Sequence, residues 1–502
     1  GEIPPPIGGW EADKAMLDEP VGSGSIDYID RIGIKAATIL NGNNTMKNSH
    51  YDLAQAFDGM IYDGYKIIRT DKVFYVSNGK SWKEVSDDVL KAQIQRFYAH
   101  YRPNDTFTRG IYNVFCDLVN RPECRNGMWL SDPYRDGTNC VVFQDGMVNF
   151  DNNNGEDFKL EPHDPDFFTF NECDYNYKDN CLTPVWDWFL QSVFGDDQDS
   201  KDLLHEWIGY CLTNSLDMQK FMVLIGATRS GKGTITRVIT NIIGALNICS
   251  PSLTNLTKDP TVHIMSTKKV AFIPDAHSVN HGLRDTTLSM LKAMTGGDTV
   301  TFDVKYKTGQ TKELPVRVIM STNGMPEFND PSGALANRML LLVFSKSFAN
   351  NEDFTLDERL AKETSGIMRK CIEGYSRLRK NKRFTDPQKS KVERLEIQED
   401  MFPLSRFVSA CCELCPDCDE SIDSLFALYT TWCQFDGVSY PLTKIVFGKT
   451  LRHSILNLEL IRPYDDKGNR VRSLKGIRIA KEQKQGIVNG TLPPFPKVPD
   501  HV

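Results

Sequence analysis

No stretch of this 502-residue chain approaches the roughly 18 consecutive apolar residues that a membrane-crossing helix requires, and no basic segment followed by a short apolar core opens it. The reading is therefore a soluble protein of the cytoplasm. Regular cysteine pairing is missing too. The 13 cysteines are odd in number and irregularly spaced, which fits a reducing compartment better than a disulfide scaffold. Nor is positive charge in excess: 59 Lys and Arg against 66 Asp and Glu leave a net charge of −7. That balance excludes a surface coating nucleic acid over its whole extent, so any such contact has to be local. What remains is a globular composition, 40% hydrophobic and 25% charged, with length for about three domains of roughly 150 residues.

The most informative stretch begins at Phe221-Met-Val-Leu-Ile225, an apolar run of strand length. It leads directly into Gly226, Ala227, Thr228, Arg229, Ser230, Gly231, Lys232, Gly233 and Thr234, after which Ile235 to Ile243 shows helical apolar spacing. Strand, glycine-rich loop and helix in this order make a phosphate-binding loop. The glycines let backbone N–H groups curl around phosphates, Lys232 sets a positive charge against the β and γ oxygens, and Thr234 supplies a hydroxyl to a Mg²⁺ shell. Gly233 separates the lysine from that hydroxyl, as in the Gly-Lys-Gly-Thr of adenylate kinases. A nucleotide kinase and a mechanical NTPase are both open at this point.

Downstream, Lys268-Lys-Val-Ala-Phe-Ile-Pro-Asp275 reads as a short strand ending in an acid, the place of the carboxylate beside the Mg²⁺ of such a site. Pro274 and Ala276 flank Asp275, so the usual acidic pair is not intact; the water-activating carboxylate is either Asp275 or one from elsewhere. Leu288 to Met294 reads as a helix, and the alternating Thr299 to Tyr306 as a half-buried strand. A second strand is expected from Leu314 through Met320 to Asn323, making a hairpin whose tip gathers Lys305, Lys307 and Lys312 around Gly309. Tyr306 offers a stacking face among these charges, which points to DNA contact at Lys305, Tyr306 and Lys307; a solvated basic turn is the plainer alternative. Asn323 would end its strand beside the P-loop strand, where its amide can orient water and sense a γ-phosphate. Arg338 precedes the apolar run Met339 to Phe344, and an arginine so placed in a ring-forming ATPase reaches the neighbouring subunit's γ-phosphate.

The ordered set of P-loop, single acid Asp275, Gly-Gly-Asp hairpin, strand ending in Thr322-Asn-x-x-Pro326 and Arg338 resembles the superfamily 3 helicases of the AAA+ class. Within them it is most similar to the phage, plasmid and poxvirus type of primase–helicase. Adenylate kinases have neither the hairpin nor the asparagine strand. The resemblance implies an α/β fold with an AAA+ P-loop ATPase core, ATP and Mg²⁺ as cofactors, and catalytic roles for Lys232, Asp275, Asn323 and Arg338, with Thr234 and Asp275 serving the metal. It also implies a homo-hexamer acting on single-stranded and forked DNA, in the host cytoplasm if phage- or virus-encoded. The chain starts at Gly1 rather than Met, so more sequence is expected ahead of it, in this family often a primase domain; a separate primase/polymerase partner is the other implied arrangement.

The flanks divide by composition. Residues 1–50 read as a linker or extension, with Pro4-Pro-Pro6 and Gly22-Ser-Gly-Ser25; 51–187 as an α+β domain preceding the helicase; 188–350 as the core; and 351–398 as a helical segment. In the second region, hairpins are expected over Lys66–Val76 and around Asp145-Gly146, and a helix over Val89–Tyr101. His163-Asp-Pro-Asp166 suggests a primase-type metal site, but no third acid or basic cluster accompanies it, so no polymerase chemistry is expected. Residues 399–485 read as a winged helix: a helix with Ile422, Leu425, Phe426, Tyr429, Trp432 and Cys433 on one face, a second from Lys444, then a β-wing, followed by a tail over 486–502. Cys411, Cys412, Cys415 and Cys418 lie close enough to suggest zinc, but they have no second pair at finger spacing and only His453 nearby to complete a set; the resemblance implies that Cys411 to Trp432 is a helix and loop needing no metal. An ATP-regulated origin-binding initiator or scaffold without processive unwinding is the rival to the helicase.

Overall fold

The structure is a computed structural model that describes residues 50–484, except 62–65, 100–101, 122–123, 151–157, 178–181, 275–283, 304–308, 325–333, 351–352, 402, 436–440, 456–457 and 465–467. The expected linker at 1–50, save His50, and the tail from 486 therefore lie outside the described residues. The chain forms two compact units, one of Gly1–Asp132 with Asp164–Thr169, the other of Pro133–His163 with Phe170–Val502.

In the first unit, α1 (His50–Ile61) precedes an antiparallel sheet of β1 (Ile67–Thr70), β2 (Val73–Ser77) and β3 (Trp82–Val85), then α2 (Asp87–Phe97) and α3 (Asp105–Leu118). The hairpin expected over Lys66–Val76 is β1–β2. Asp71 and Lys72 turn it, both at positive φ, as a two-residue turn matching the strand twist requires. The helix expected from Val89 is α2, whose Ser86 hydroxyl caps it by accepting from the Val89 amide. The helices bury Phe57, Leu90, Ile94 and Phe115 against Ile67 and Phe74 of the sheet.

The second unit begins with β4 (Cys140–Val142) and β5 (Met147–Asn149), the hairpin expected around Asp145-Gly146, joined by β6 (Leu160–Glu161). Two helices follow, α4 (Pro184–Phe194) and α5 (Gln198–Leu212). The chain then runs through β7 (Phe221–Gly226), α6 (Lys232–Ile243), β8 (Ile248–Cys249), α7 (Asp259–Met265), β9 (Val270–Ile273) and α8 (Arg284–Gly296). After the small hairpin β10 (Thr299–Phe302) and β11 (Gln310–Glu313) come β12 (Arg317–Thr322), α9 (Ala334–Arg338) and β13 (Met339–Phe344). Five strands form one parallel sheet in the order β8-β9-β12-β7-β13, so the strand ending next to Asn323 lies beside the P-loop strand as expected. Successive side chains of a strand alternate faces: Met222 and Leu224 join a core with α5, α6 and residues 367–372, while Phe221, Val223 and Ile225 join another with Leu256, Val262 and Leu291. Burial on both faces is why these strands read as unbroken apolar runs.

The β10 hairpin corrects one expectation. Its partner is β11, with Thr299 opposite Glu313 and Phe302 opposite Gln310, whereas β12 belongs to the main sheet. Pro315 separates the two, since a proline offers no N–H to a ladder and restricts the residue before it. Lys312 consequently sits within β11 and not at the tip.

Beyond the sheet, α10 (Leu356–Ala361) and α11 (Thr364–Asn381) are the helices expected over Leu356–Arg383, and α12 (Gln388–Met401) leads to the C-terminal module. There α13 (Pro403–Cys411), β14 (Cys412–Ser421), α14 (Ile422–Phe435), α15 (Lys444–Ser454), β15 (Glu459–Ile461) and β16 (Ser473–Ile479) surround a core that includes Leu425, Tyr429, Trp432, Cys433, Phe447 and Leu451. Its antiparallel sheet has the order β14-β16-β15. The helix-and-loop expected from Cys411 is corrected: residues 412–421 are a strand. Its alternation is hidden because the register jumps from Leu414 opposite Ile477 to Asp419 opposite Lys475, leaving four residues unpaired between. That excursion is where Cys415 and Cys418 form a disulfide, which corrects the expectation of an unpaired cysteine set at this one pair. Cys411 is buried in the module core, and no three potential metal ligands converge among the described residues.

Candidate nucleotide-binding site

Every strand of the main sheet points its C-terminal end toward one edge, and the P-loop leaves β7 there. Gly226, at φ 151°, lies directly against β13: a Cβ on it would come 2.3 Å from the Phe344 carbonyl oxygen. Only a glycine permits that approach. The loop then rises to Arg229 at φ 58° and returns through Gly231 at φ 100°, the N-cap of α6. Residues after β13 brace its apex, with the Phe348 amide donating to Arg229 O at 2.8 Å and the Ser347 hydroxyl to Thr228 O at 3.2 Å. Beneath it, Val193 and Phe189 of α4 pack against Gly231.

Lys232 is 8% exposed, and its Nζ donates to Gly226 O at 2.6 Å, Ala227 O at 2.7 Å and Asn323 Oδ1 at 3.1 Å. Asn323 is held for this contact by the turn after β12, where the Thr322 hydroxyl bonds both the carbonyl and the amide of Gly324. Two residues 91 positions apart thus meet because β12 and β7 are neighbours, Thr322 lying opposite Ile225. Gly231 gives α6 no side-chain cap, so the first N–H groups of that helix face the loop interior in the manner of an anion site. An ammonium, uncapped helix N–H groups and the neighbouring Thr234 hydroxyl are the donor set of a polyphosphate with its cation, and they fit a nucleoside triphosphate with Mg²⁺.

The remaining expected residues are placed differently. Asp275 lies outside the described residues, β9 ending at Ile273. Lys305, Tyr306 and Lys307 likewise lie outside them. Arg338 is not brought to Lys232. It ends α9 just before Met339, which pairs with Phe221 at the start of β7, so it sits at the opposite end of the sheet from the P-loop. Its Nη1 donates to Lys292 O at 2.5 Å and to Thr295 Oγ1 at 2.9 Å, both on α8. Nearby, Lys220 Nζ donates to Asn337 O at 2.5 Å; burial, with the charges of Arg394 and Arg338, holds its pKa below the usual lysine range.

Sequence reasoning missed Arg237. It reaches back one turn of α6 to donate to Thr234 Oγ1 at 3.3 Å and pairs with Asp357 of α10 at 2.7 Å, on the rim of the site. Its spacing from Thr234 was the available signal, since residues three apart on a helix are neighbours. The two carboxylates of the suggested metal cluster, in contrast, are engaged within the first unit. Asp166 accepts from Lys66 Nζ and the Ser131 amide, each at 2.7 Å, and Asp164 accepts from Trp129 Nε1 at 2.8 Å. Burial pushes the Asp166 carboxyl up, but those hydrogen bonds outweigh it and hold the pKa below the usual range.

Residues 129–195 match the family described as D5 N terminal like, and residues 224–338, from within β7 to Arg338, match one described as a family of unknown function, DUF5906. Among solved structures, the chain is similar to the A form apo structure of the NrS-1 C terminal region and to the apo structure of the NrS-1 C terminal region (305-718). Both are 10% identical and cover 86% of this chain and 100% of their own, with TM-scores of 0.46 and 0.45. A D5-type segment ahead of the P-loop and a DUF5906 segment across it are domains typical of phage and virus primase–helicases.

Proposed function

We propose that the chain is an ATP-driven replicative DNA helicase of the superfamily 3, AAA+ type, working as a homo-hexameric ring that translocates on single-stranded DNA and opens forked duplex. The observation that carries this reading is the division of the expected machinery between two ends of one sheet. Lys232 and Asn323 share a 3.1 Å contact at the C-terminal edge, while Arg338 lies at the other. A protomer built this way needs a neighbour to supply the arginine, which a ring does. Lys232 and the loop N–H groups would hold the phosphates of ATP, Thr234 and Asp275 the Mg²⁺, and Asn323 would orient water. The metal, when bound, neutralises charge developing on the transferred phosphoryl oxygens. Lys305, Tyr306 and Lys307 would contact the strand. The C-terminal order helix, strand, helix, helix, strand, strand, with the sheet order β14-β16-β15, supports a winged helix.

One feature favours a second reading, an ATP-regulated initiator or scaffold: Pro274 and Ala276 leave Asp275 without an acidic neighbour. Phosphate release measured with and without single-stranded DNA, together with displacement of a labelled strand from a fork, separates the two. DNA-stimulated turnover with strand displacement is expected. ATP-dependent assembly on duplex with neither would give the initiator.

A further inference from the structure

The chain that leaves β13 touches the nucleotide site twice. Ser347 and Phe348 brace the apex of the P-loop at Thr228 and Arg229, and Asp357, in the first turn of α10, holds Arg237 Nε at 2.7 Å. That guanidinium lies over the start of α6: it donates to Thr234 Oγ1 at 3.3 Å, and a Cβ on Gly233 would come 3.3 Å from its Nη1. Helix α10 packs on α6, with Leu356 against the core that α6 shares. Just ahead of it, the Asp353 carboxylate ties a turn by accepting from the Thr355 amide at 2.9 Å and the Thr355 hydroxyl at 2.8 Å, and it pairs with Arg359. Phe354 stands in the middle of that turn, 90% exposed. One exposed apolar side chain is ordinary on a protein surface, so exposure alone assigns it nothing. Its place beside the nucleotide site does more.

The order of the strands sets how a bound nucleotide would lie. β12 flanks β7 on one side and β13 flanks it on the other. Lys232 Nζ meets Asn323, just past the end of β12, so the terminal phosphate belongs to the β12 side. Phosphates running from there along the N-terminus of α6 leave the ribose and base on the β13 side, where Asp357 and Phe354 stand. We propose that Phe354 is the stacking platform for the nucleobase, and that the Arg237–Asp357 pair tethers its turn to the phosphate end of the site. This rests on the nucleotide-binding reading above. A phenyl ring carried on a tied turn gives a flat apolar face at little cost in conformational freedom, and a base laid on it takes both faces out of water. Purines present the larger face, so the platform favours ATP and GTP over UTP and CTP.

The test is calorimetric titration of the full chain, with Mg²⁺ present, by the non-hydrolysable imido analogues of ATP and UTP and by inorganic tripolyphosphate. The wild type should bind the ATP analogue more tightly than the UTP analogue. Phe354→Ala should weaken the ATP analogue about tenfold, narrow its advantage over the UTP analogue, and leave tripolyphosphate unchanged. Phe354→Trp should restore the wild-type order, since a platform needs only a flat face. An alanine variant that binds the ATP analogue as the wild type does overturns the proposal. So does one that loses tripolyphosphate in the same proportion, which would make the residue a support of the phosphate loop, or a tryptophan variant as weak as the alanine one. A wild type that binds neither the analogues nor tripolyphosphate sinks the nucleotide site and this proposal together. The expected loss in Phe354→Ala, found in a chain whose ATP turnover does not respond to DNA, supports the platform and sinks the motor reading alone.

Discussion

Lys232 spends its ammonium on two loop carbonyls and the Asn323 amide oxygen, all of them groups that a bound phosphate can replace without disturbing the core beneath. Lys232→Ala should therefore reduce phosphate release to background while the protein keeps a cooperative thermal transition; appreciable turnover would remove the site assignment. His205 makes a contrasting case, a titratable group tied to stability. Trp186 Nε1 donates to its Nε2 at 2.9 Å, so the neutral ring is required, and burial, joined by the charges of Lys370 and Arg377, pushes its pKa down to about 3. Unfolded, the group titrates near its ordinary value of 6.5. Between the two values the unfolded chain binds the extra proton, so this contribution is complete above pH 6.5 and is lost as pH falls toward 3, at no more than about 1.4 kcal/mol per unit. His205→Gln keeps an acceptor for Trp186 and should flatten the acid decline of the melting temperature. Parallel curves for variant and wild type would show that another group governs it.

At the scale of elements, β7, its loop and α6 are legible because their signals are local: an apolar run, glycines at the turns, then helical spacing. The closeness of Gly226 to β13 is not local, and it makes a prediction. Gly226→Ala would drive a Cβ to 2.3 Å from the Phe344 carbonyl, so it should cost on the order of 2 kcal/mol in chemical denaturation, as overpacking does. An unchanged midpoint would mean that the two strands separate easily there. What the sequence hides is pairing without pattern. β11, Gln310-Thr-Lys-Glu313, has no apolar alternation, and β14 loses its alternation at the Cys415–Cys418 excursion, so neither pairing shows in the residue pattern. Lys312 sits within β11, and Lys305 and Lys307 keep the proposed DNA contact. Lys305→Ala with Lys307→Ala should lower the salt slope of single-strand binding by about two units and spare basal ATP turnover. A slope identical to that of the wild type returns this turn to the solvated alternative.

For the whole molecule, the decisive relation is between Lys232 at one edge of the sheet and Arg338 at the other. The Asn323 position was legible as a strand neighbouring β7, and the separation of Arg338 from the P-loop followed from its place ahead of an apolar strand, because parallel strands in one sheet all start at the same edge. The carbonyl of Lys292 and the Thr295 hydroxyl hold Arg338 against the end of α8, at that edge and away from Lys232. If the arginine serves a neighbour, Arg338→Ala should cost on the order of 10³-fold in turnover, as arginine fingers generally do. Loss alone does not distinguish a role in trans from a structural one, since the variant also strips α8 of two hydrogen bonds. Mixing does distinguish them. Arg338→Ala subunits keep an intact P-loop, and Lys232→Ala subunits keep an intact arginine, so a mixed ring contains interfaces where the first meets the second. Partial phosphate release should return on mixing two preparations that are each inactive. If mass measurement shows that mixed rings form and nothing returns, Arg338 works within its own chain, and the division of the site between two ends of the sheet loses its functional meaning.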